Sequence, residues 1–488
     1  MRCSIARAAA VSLLAGASFA VMGQTTTAGS SIATPRPIDP SASTTNPSAR
    51  AIQNQNPYLG STPEEQLTNG PVVLDLQQAV DRGLKYNLGL IDSVQADADE
   101  RAQRLRALAA LLPNISARAQ QNFEDISYSE IGIKLPPLPG FAGLPATSGN
   151  FAYMDARVAV TQAIFNAELR DRYHAQGALE AASLLNTKDA RDVVVFAVGA
   201  AFFQVIASEA RVHTAQAQLA SARELDTQVA NQFKSEVSPE IDAIRAQVER
   251  QTAEQRLINA SNDLEKDKLT LGRITGIPFE QPFTLRGAAE YYPLPVGSET
   301  AGTRYDLAGA AATVRASELT LKAAQAQRLP SLSLNADYGG AGTNPGHFNQ
   351  VYTVSAGLSV PLYTGGRIKA DIEEARADLV RRRAEYRDLG GRVKYDVRVA
   401  QLDAAASESS VKVAIQNKAL AERALLQSQD RYSNGVTNYL EIVEAQEALA
   451  AANENYIQSL FSFNVSKIAL ARAMGAAETR LHDLFGGN

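Results

Sequence analysis

The chain has 488 residues, with 47 Lys+Arg against 52 Asp+Glu and a net charge of −5. At ~150 residues per domain, length alone suggests about three soluble domains, and the near balance of charge argues against a nucleic-acid partner, which a basic patch would signal. The single cysteine, Cys3, excludes an internal disulfide framework and a cysteine-based zinc site, and four scattered histidines form no HExxH.

Taken in chain order, the first element is a signal peptide, residues 1–23. Arg2 and Arg7 precede an apolar run from Ala8 to Ala20 that ends in small residues and is too short to cross a bilayer as a helix. Cys3 lies ahead of that run and leaves with it, so a lipid anchor on a mature N-terminal cysteine is not expected. Residues 24–70, rich in Ser, Thr, Pro, Asn and Gln, read as a disordered lead-in, with order beginning near Leu74. Past the signal the longest apolar stretch is Val193 to Ser208, 16 residues between Asp192 and Glu209, which reads as a helix packed on most sides. An exported chain without a membrane helix is either soluble outside the cytoplasm or an outer-membrane β-barrel protein.

The rest of the chain is two copies of one unit, a first repeat at 71–281 and a second at 302–480, with a linker at 282–301 and a tail at 481–488. At an offset of 199 residues Phe233 meets Tyr432, Ala246-Gln247 meets Ala445-Gln446, Arg273 meets Arg472 and Gly276 meets Gly475. Upstream the offset becomes 217, where Leu112-Pro113 meets Leu329-Pro330, and the difference falls in an extra loop of the first copy, Ile131 to Thr147.

Each copy reads as helix, strand, strand, helix, turn, helix. The strand pairs fall at about 114–164 and 331–362. In the second copy Leu332, Leu334, Ala336 and Tyr338 alternate with Ser331, Ser333, Asn335 and Asp337, and Tyr352 to Val360 alternates likewise; the first copy repeats the pattern more weakly through Ala156, Val158 and Val160. A half-buried sheet on a soluble core would look the same. The helices are more decisive. Asn166 to Lys234 and Gly366 to Ser433 lack proline and consist mostly of strong helix formers. Sixty-odd residues at ~1.5 Å each make a rod of roughly 100 Å. Each rod turns at Ser235 to Pro239 or Asn434 to Asn438, and a shorter helix returns with coiled-coil spacing. Four strands per chain cannot close a barrel, and an open sheet in lipid leaves unpaired edges, so an apolar face against lipid requires several chains to pool strands.

Several motifs in order resemble the TolC family of outer membrane efflux proteins over residues 74 to 480. They are Leu74-Asp75-Leu76-Gln77-Gln78-Ala79 with Asn87, Leu112-Pro113-Asn114, Arg304-Tyr305-Asp306-Leu307, Leu329-Pro330-Ser331, Val360-Pro361-Leu362-Tyr363-Thr364-Gly365-Gly366-Arg367, Tyr432-Ser433-Asn434-Gly435 and Gly475. The sequence departs from the family pattern at Tyr305, where proline is usual, and in the first copy at Ala163, Ala167-Glu168 and Glu236. The resemblance implies an α+β membrane protein: a homotrimer whose transmembrane β-barrel has 12 strands, four per protomer, continued by a long α-helical coiled-coil periplasmic tunnel. It implies a bacterial outer-membrane location with a large periplasmic portion. It also implies docking to an inner-membrane pump, of RND or ABC type, through a periplasmic adaptor, as the passive exit duct of a tripartite efflux pump or a type I secretion system.

The same resemblance assigns roles at the rod tips. Asp242 and Tyr432 correspond to partners of a gate bond, and Thr437 stands where the family's gate arginine would be, which makes Arg245 the candidate substitute. Glu441 and Glu444 occupy the positions of an acidic constriction ring. The turns Val237, Ser238, Pro239, Gly435, Val436, Thr437 and Asn438 face the adaptor. Gly435 takes left-handed backbone freely and Glu236 does not, so the two turns are expected to differ in shape. No catalytic constellation, cofactor motif or metal-ligand spacing is present, so the chain reads as no enzyme. The rival readings are a soluble exported coiled-coil scaffold or adhesin and a periplasmic adaptor.

Overall fold

Two proline-free runs fold as the longest helices of the molecule, and everything else is arranged around them. The computed structural model describes residues 56–63, 70–128, 132, 146–236, 239–287, 291–294, 304–343, 347–437 and 439–485. The signal peptide, most of the lead-in, and Val237, Ser238 and Asn438 of the turns lie outside the described residues.

A short strand β1 (Val72–Leu74) leads into α1 (Leu76–Tyr86) and α2 (Leu88–Ala109). Strands β2 (Asn114–Glu124) and β3 (Phe151–Phe165) follow, then the long α3 (Ala167–Lys234) and the returning α4 (Glu240–Thr275). A second short strand, β4 (Phe283–Leu285), precedes α5 (Tyr305–Ala326), β5 (Ser331–Gly342), β6 (Asn349–Ser359), the long α6 (Arg367–Ser433), the returning α7 (Tyr439–Ala473) and α8 (Ala477–Phe485). Local chemistry sets the boundaries. Asp75 and Gln78 form a reciprocal capping box at α1, with Gln78 N donating to Asp75 Oδ1 at 2.7 Å and Asp75 N to Gln78 Oε1 at 3.1 Å. Asn87, wholly buried, caps α2 through Gly89 N and donates to the Tyr58 carbonyl. Asn166 caps α3 through Leu169 N. Gly365 and Gly366 take consecutive left-handed conformations (φ 61° and 88°) to swing β6 into α6, a path that favours glycine at both positions.

The four longer strands form one antiparallel sheet in the order β2-β3-β5-β6. The register sorts its faces across all four strands. One face carries the rows Ile115, Val160, Ala336, Val354 and Ala117, Val158, Tyr338, Tyr352; the other carries Asn114, Thr161, Asn335, Ser355 and Ser116, Ala159, Asp337, Thr353. On the first face Phe123, Tyr352 and Val354 are 79%, 76% and 67% exposed. At the junction of the strand pairs a Cβ on Gly339 would lie 2.0 Å from the Ala156 carbonyl oxygen, so only glycine lets β5 approach β3 this closely.

The largest core surrounds the middle of α3. Val194, Val195, Val198, Phe202, Phe203 and Ile206 pack with α1, β4, the C-terminal ends of α4 and α7, and α8. An 18-residue window of α3 is apolar enough to cross a membrane, and 56% of it is buried inside this fold. The length-based expectation of about three domains fails: residues 51–488 cluster as one unit, because the rods run through the core rather than linking separate ones. Order also starts earlier than Leu74. Residues 57–59 form a 3-10 turn, and Tyr58 and Leu59 pack on the α3 core. The expected linker supplies β4, which pairs in parallel with β1, and Tyr291 and Leu294, which cover α7. The expected tail supplies most of α8, with Leu481 and Leu484 buried.

Candidate functional site

The tips of the two hairpins, α3 with α4 and α6 with α7, bring together every residue assigned to the gate and its ring. The expected difference between their turns is not found. Glu236 has φ 60° and Gly435 has φ 69°, and both turns close with the same bonds: Ser235 N to Asn231 O matches Asn434 N to Asp430 O at 3.1 Å, and Glu236 N to Phe233 O matches Gly435 N to Tyr432 O at 3.0 Å. The reason is the open end of each long helix. Its last carbonyls need donors from a reversing chain, and a left-handed residue supplies them, even at a cost of about 1–2 kcal/mol when that residue is glutamate.

Beneath the turns Leu225, Val229, Ala246, Tyr439 and Ile442 pack into a small core, with Tyr432 and Val443 against it. Tyr432 Oη donates to Gln232 Oε1 at 2.8 Å, so the bond between hairpins goes to Gln232 and not to Asp242. Burial pushes the Tyr432 phenol up, and the charge of Asp242 adds to the rise. Asp242 sits in the first turn of α4, where the helix dipole favours an anion, 3.4 Å from Arg245 of the same helix. Arg245 therefore makes a local pair and not a bond between hairpins. Tyr439 lies wholly inside the tip core, with no hydrogen-bond partner for its hydroxyl among the described residues. Burial, and then the charge of Glu249, push this phenol up to about 12.

The two ring carboxylates differ. Glu441 accepts from Thr437 Oγ1, lies 3.1 Å from Arg431 Nε and is within 3.5 Å of Ser428 Oγ. The Thr437 bond, followed by the Arg431 charge, holds its carboxyl below the ordinary value. Glu444 is exposed and makes no ion pair among the described residues. Pro239 caps α4 without a side-chain bond, and exposed Val436 donates its N–H to the Arg431 carbonyl at 2.9 Å, a helix-ending bond. Gln232, Arg431 and Tyr439 were not singled out from the sequence. Gln232 and Arg431 lie 199 apart, so the offset that pairs Phe233 with Tyr432 could have drawn attention to both.

Farther up the hairpins, Arg211 of α3 lies 3.0 Å from Glu454 Oε1 and donates to Gln458 of α7, and Arg256 of α4 lies 2.8 Å from Glu447 of α7. At the opposite end, on the polar sheet face, Arg157 of β3 makes a two-armed pair with Asp155 at 2.8 and 2.7 Å and reaches Asp337 of β5 at 2.9 Å, tying the strand pairs together. Among the described residues no group of three His, Cys, Asp or Glu side chains is placed to hold a metal ion. The arrangement suits support and opening of an aperture rather than bond chemistry.

Residues 296–476 match the family described as Outer membrane efflux protein. Among curated relatives, the chain is 27% identical to the outer membrane efflux protein BepC of Brucella suis over 48% of this chain and 52% of that protein. It is 25% identical to the pyoverdine export outer membrane protein OpmQ of Pseudomonas aeruginosa over 82% and 85%. The chain spans about half the length of the Brucella relative and 64% of a Pseudomonas putida OpmQ. Among solved structures, the Campylobacter jejuni CmeC outer membrane channel superposes with a TM-score of 0.72 at 16% identity, over 86% of this chain and 92% of that one. CusC superposes at 0.70 and 16% identity, over 85% and 97%.

Proposed function

We propose that this chain, which belongs to the outer membrane efflux protein family through residues 296–476, is one protomer of a trimeric outer-membrane channel-tunnel, the passive exit duct of an efflux pump or a type I secretion system. One observation carries the reading: a four-stranded sheet with both edges, β2 and β6, unpaired and its apolar face uncovered. In lipid such a sheet is tolerated only when it is closed, and three copies pool twelve strands into a barrel wide enough for a water-filled lumen. The apolar rows then face lipid, and the polar rows, with the Arg157 pairs, face the lumen. The hairpins extend the barrel into the periplasm as a ring of six, each rod roughly 100 Å long. The two copies of the unit would then give the ring its near-sixfold regularity.

At the far end the tips form the gate. Tyr432, with Gln232 and the nearby Asp242 and Arg245, holds neighbouring hairpins together. Glu441 and Glu444 line the constriction, where carboxylates favour cations. The turns at Val237, Ser238, Pro239 and at Gly435, Val436, Thr437 and Asn438 meet the periplasmic adaptor, which links the duct to an inner-membrane pump of RND or ABC type. Relatives of similar identity carry names that speak of pyoverdine export and of cation efflux, which suits a duct whose cargo is chosen by its pump. Export through a cleaved signal peptide at 1–23 delivers the chain to the outer membrane.

The test is extraction and reconstitution. The expected result is a membrane-fraction protein that needs detergent, runs as a trimer and conducts ions in planar bilayers. A monomer recovered from the soluble periplasm would overturn the proposal in favour of an exported coiled-coil scaffold.

A further inference from the structure

The ring of hairpins proposed above has two kinds of seam, and the structure contains only one of them. Within a chain the first hairpin meets the second through α3 and α7, and at the tip through α3 and α6. This seam is polar and charged: Arg211 with Glu454 and Gln458, Arg256 with Glu447, and Tyr432 with Gln232.

The internal offset of 199 residues says what the other seam would hold, because each of these positions has a counterpart on the free side of the ring. Arg211 becomes Ser410, facing Gln255 and Asn259 in place of Glu454 and Gln458. Arg256 and Glu447 become Asn455 and Val248. Tyr432 and Gln232 become Phe233 and Arg431. Both charged pairs and the tyrosine bond are lost together. Arg431 is also already held by Glu441 of its own hairpin.

The free edges have the character this substitution implies. On α4 Ile244, Val248, Ile258 and Leu269 are exposed at coiled-coil spacing, with Val248 57% exposed. On α6 Tyr395, Leu402, Val413 and Leu420 form a second exposed stripe at the same spacing. Phe233, at the tip, is 42% exposed. The occupant that matches both stripes is a second copy of this chain, with its α4 on α6, because the α3–α7 seam already shows the geometry that the offset reproduces.

We propose that the two seams are unequal, that the two hairpins of one chain move as a single unit, and that the tunnel opens along the seam between copies, where α6 of one copy lies on α4 of the next. This rests on the trimeric reading above. An apolar interlock without bridging charges slides between packings more readily than one fixed by paired charges and a buried hydroxyl bond, so the weaker seam is the natural line of separation.

The test uses the absence of any cysteine other than Cys3. Gln232→Cys with Tyr432→Cys places two thiols across the seam within a chain. Phe233→Cys with Arg431→Cys places them across the seam between copies. A short bismaleimide links each pair, and channels are compared before and after linking in planar bilayers. The within-chain link is expected to leave mobility on a denaturing gel at the monomer and conductance within about twofold, whereas the between-copy link gives covalent oligomers and lowers conductance about tenfold or more. A within-chain link that closes the channel as strongly, or a between-copy link that leaves it open, overturns the proposal. A trimer that yields no between-copy product also overturns it, by placing these residues elsewhere. Loss of the trimer itself overturns the channel reading instead.

Discussion

The middle of α3 and the middle of α6 lie in helices of almost the same length, yet their surroundings are opposite. Residues 193–208 read VVVFAVGAAFFQVIAS and are packed under α1, α8 and the end of α4. The counterpart 199 residues later, 392–407, reads RVKYDVRVAQLDAAAS and leaves Arg392, Lys394, Tyr395 and Arg398 exposed. The difference shows where the protomer is self-sufficient. It builds its stability on one side, around α3, and leaves α6 as an edge to be completed from outside.

The sharpest way to break this contrast is to exchange residues across it. Val195 is wholly buried, and its counterpart is Lys394. Val195→Lys is expected to cost about 4 kcal/mol or more, because an ammonium without a partner is forced into the apolar core. Lys394→Val, on the open side, stays within about 0.5 kcal/mol. Thermal melts of the detergent-solubilised protein would check both; equal effects would mean the two helices are buried alike.

The lysine pair at 268 and 467 sharpens the point with identical residues. Lys467 is wholly buried, donating to the carbonyls of Leu484 at 2.9 Å and Tyr292 at 3.1 Å and lying 4.3 Å from the Phe485 ring centre. Burial pushes its ammonium down to about 8. Lys268 sits nearer the surface, 3.7 Å from Glu265. Lys467→Ala leaves a cavity and two carbonyls without their donor, and is expected to cost about 3 kcal/mol and to loosen α8. Lys268→Ala should cost under about 0.5 kcal/mol. Hydrogen exchange in α8 is the readout: protection there that survives Lys467→Ala would remove the lysine as the anchor of that helix.

Next in size is Asp192, whose counterpart is Gly391. Asp192 is 4% exposed, and its Oδ1 accepts from Glu478 N at 3.1 Å, capping α8 from another helix. Burial pushes its carboxyl up from 3.8 to about 6. The folded chain therefore holds this proton more tightly than the unfolded chain. The contribution to stability is best below about pH 4 and falls as pH rises towards 6, leaving a cost of up to about 3 kcal/mol at pH 7. Asp192→Asn keeps the acceptor and removes the charge, so it is expected to stabilise by about 1–3 kcal/mol at pH 7 and by little at pH 4. A variant destabilised at pH 7 would show that the charge at the α8 terminus outweighs its burial.

These contrasts also mark what the sequence makes legible. The rods show themselves by the absence of proline over more than 60 residues, and the strands by strict alternation through Ser331 to Tyr338, because both signals are local and repeat. Strands β1 and β4 do not, since three residues each carry no period. Asp192 reads as one more helix-surface carboxylate until Glu478, 286 residues away, is brought beside it. At the gate the tyrosine is readable from its motif, but its partner is not. Gln232 is one polar residue among many on α3, and only the packing of one hairpin on the other selects it over Asp242.

The smallest expected effect lies at the tips, where the two hairpins converge in shape although their residues differ. Glu236 and Gly435 occupy the same left-handed backbone, and only glycine does so without steric cost. Glu236→Gly relieves that strain but adds the flexibility of glycine to the unfolded chain, so the net gain is about 0.5–1 kcal/mol. Gly435→Ala imposes the strain on the other turn and should cost about 1 kcal/mol. Melting of the solubilised protein gives both values. A loss of stability in Glu236→Gly would mean that the carboxylate makes a compensating contact in the assembled tip, and the likeness of the two turns would then rest on different forces.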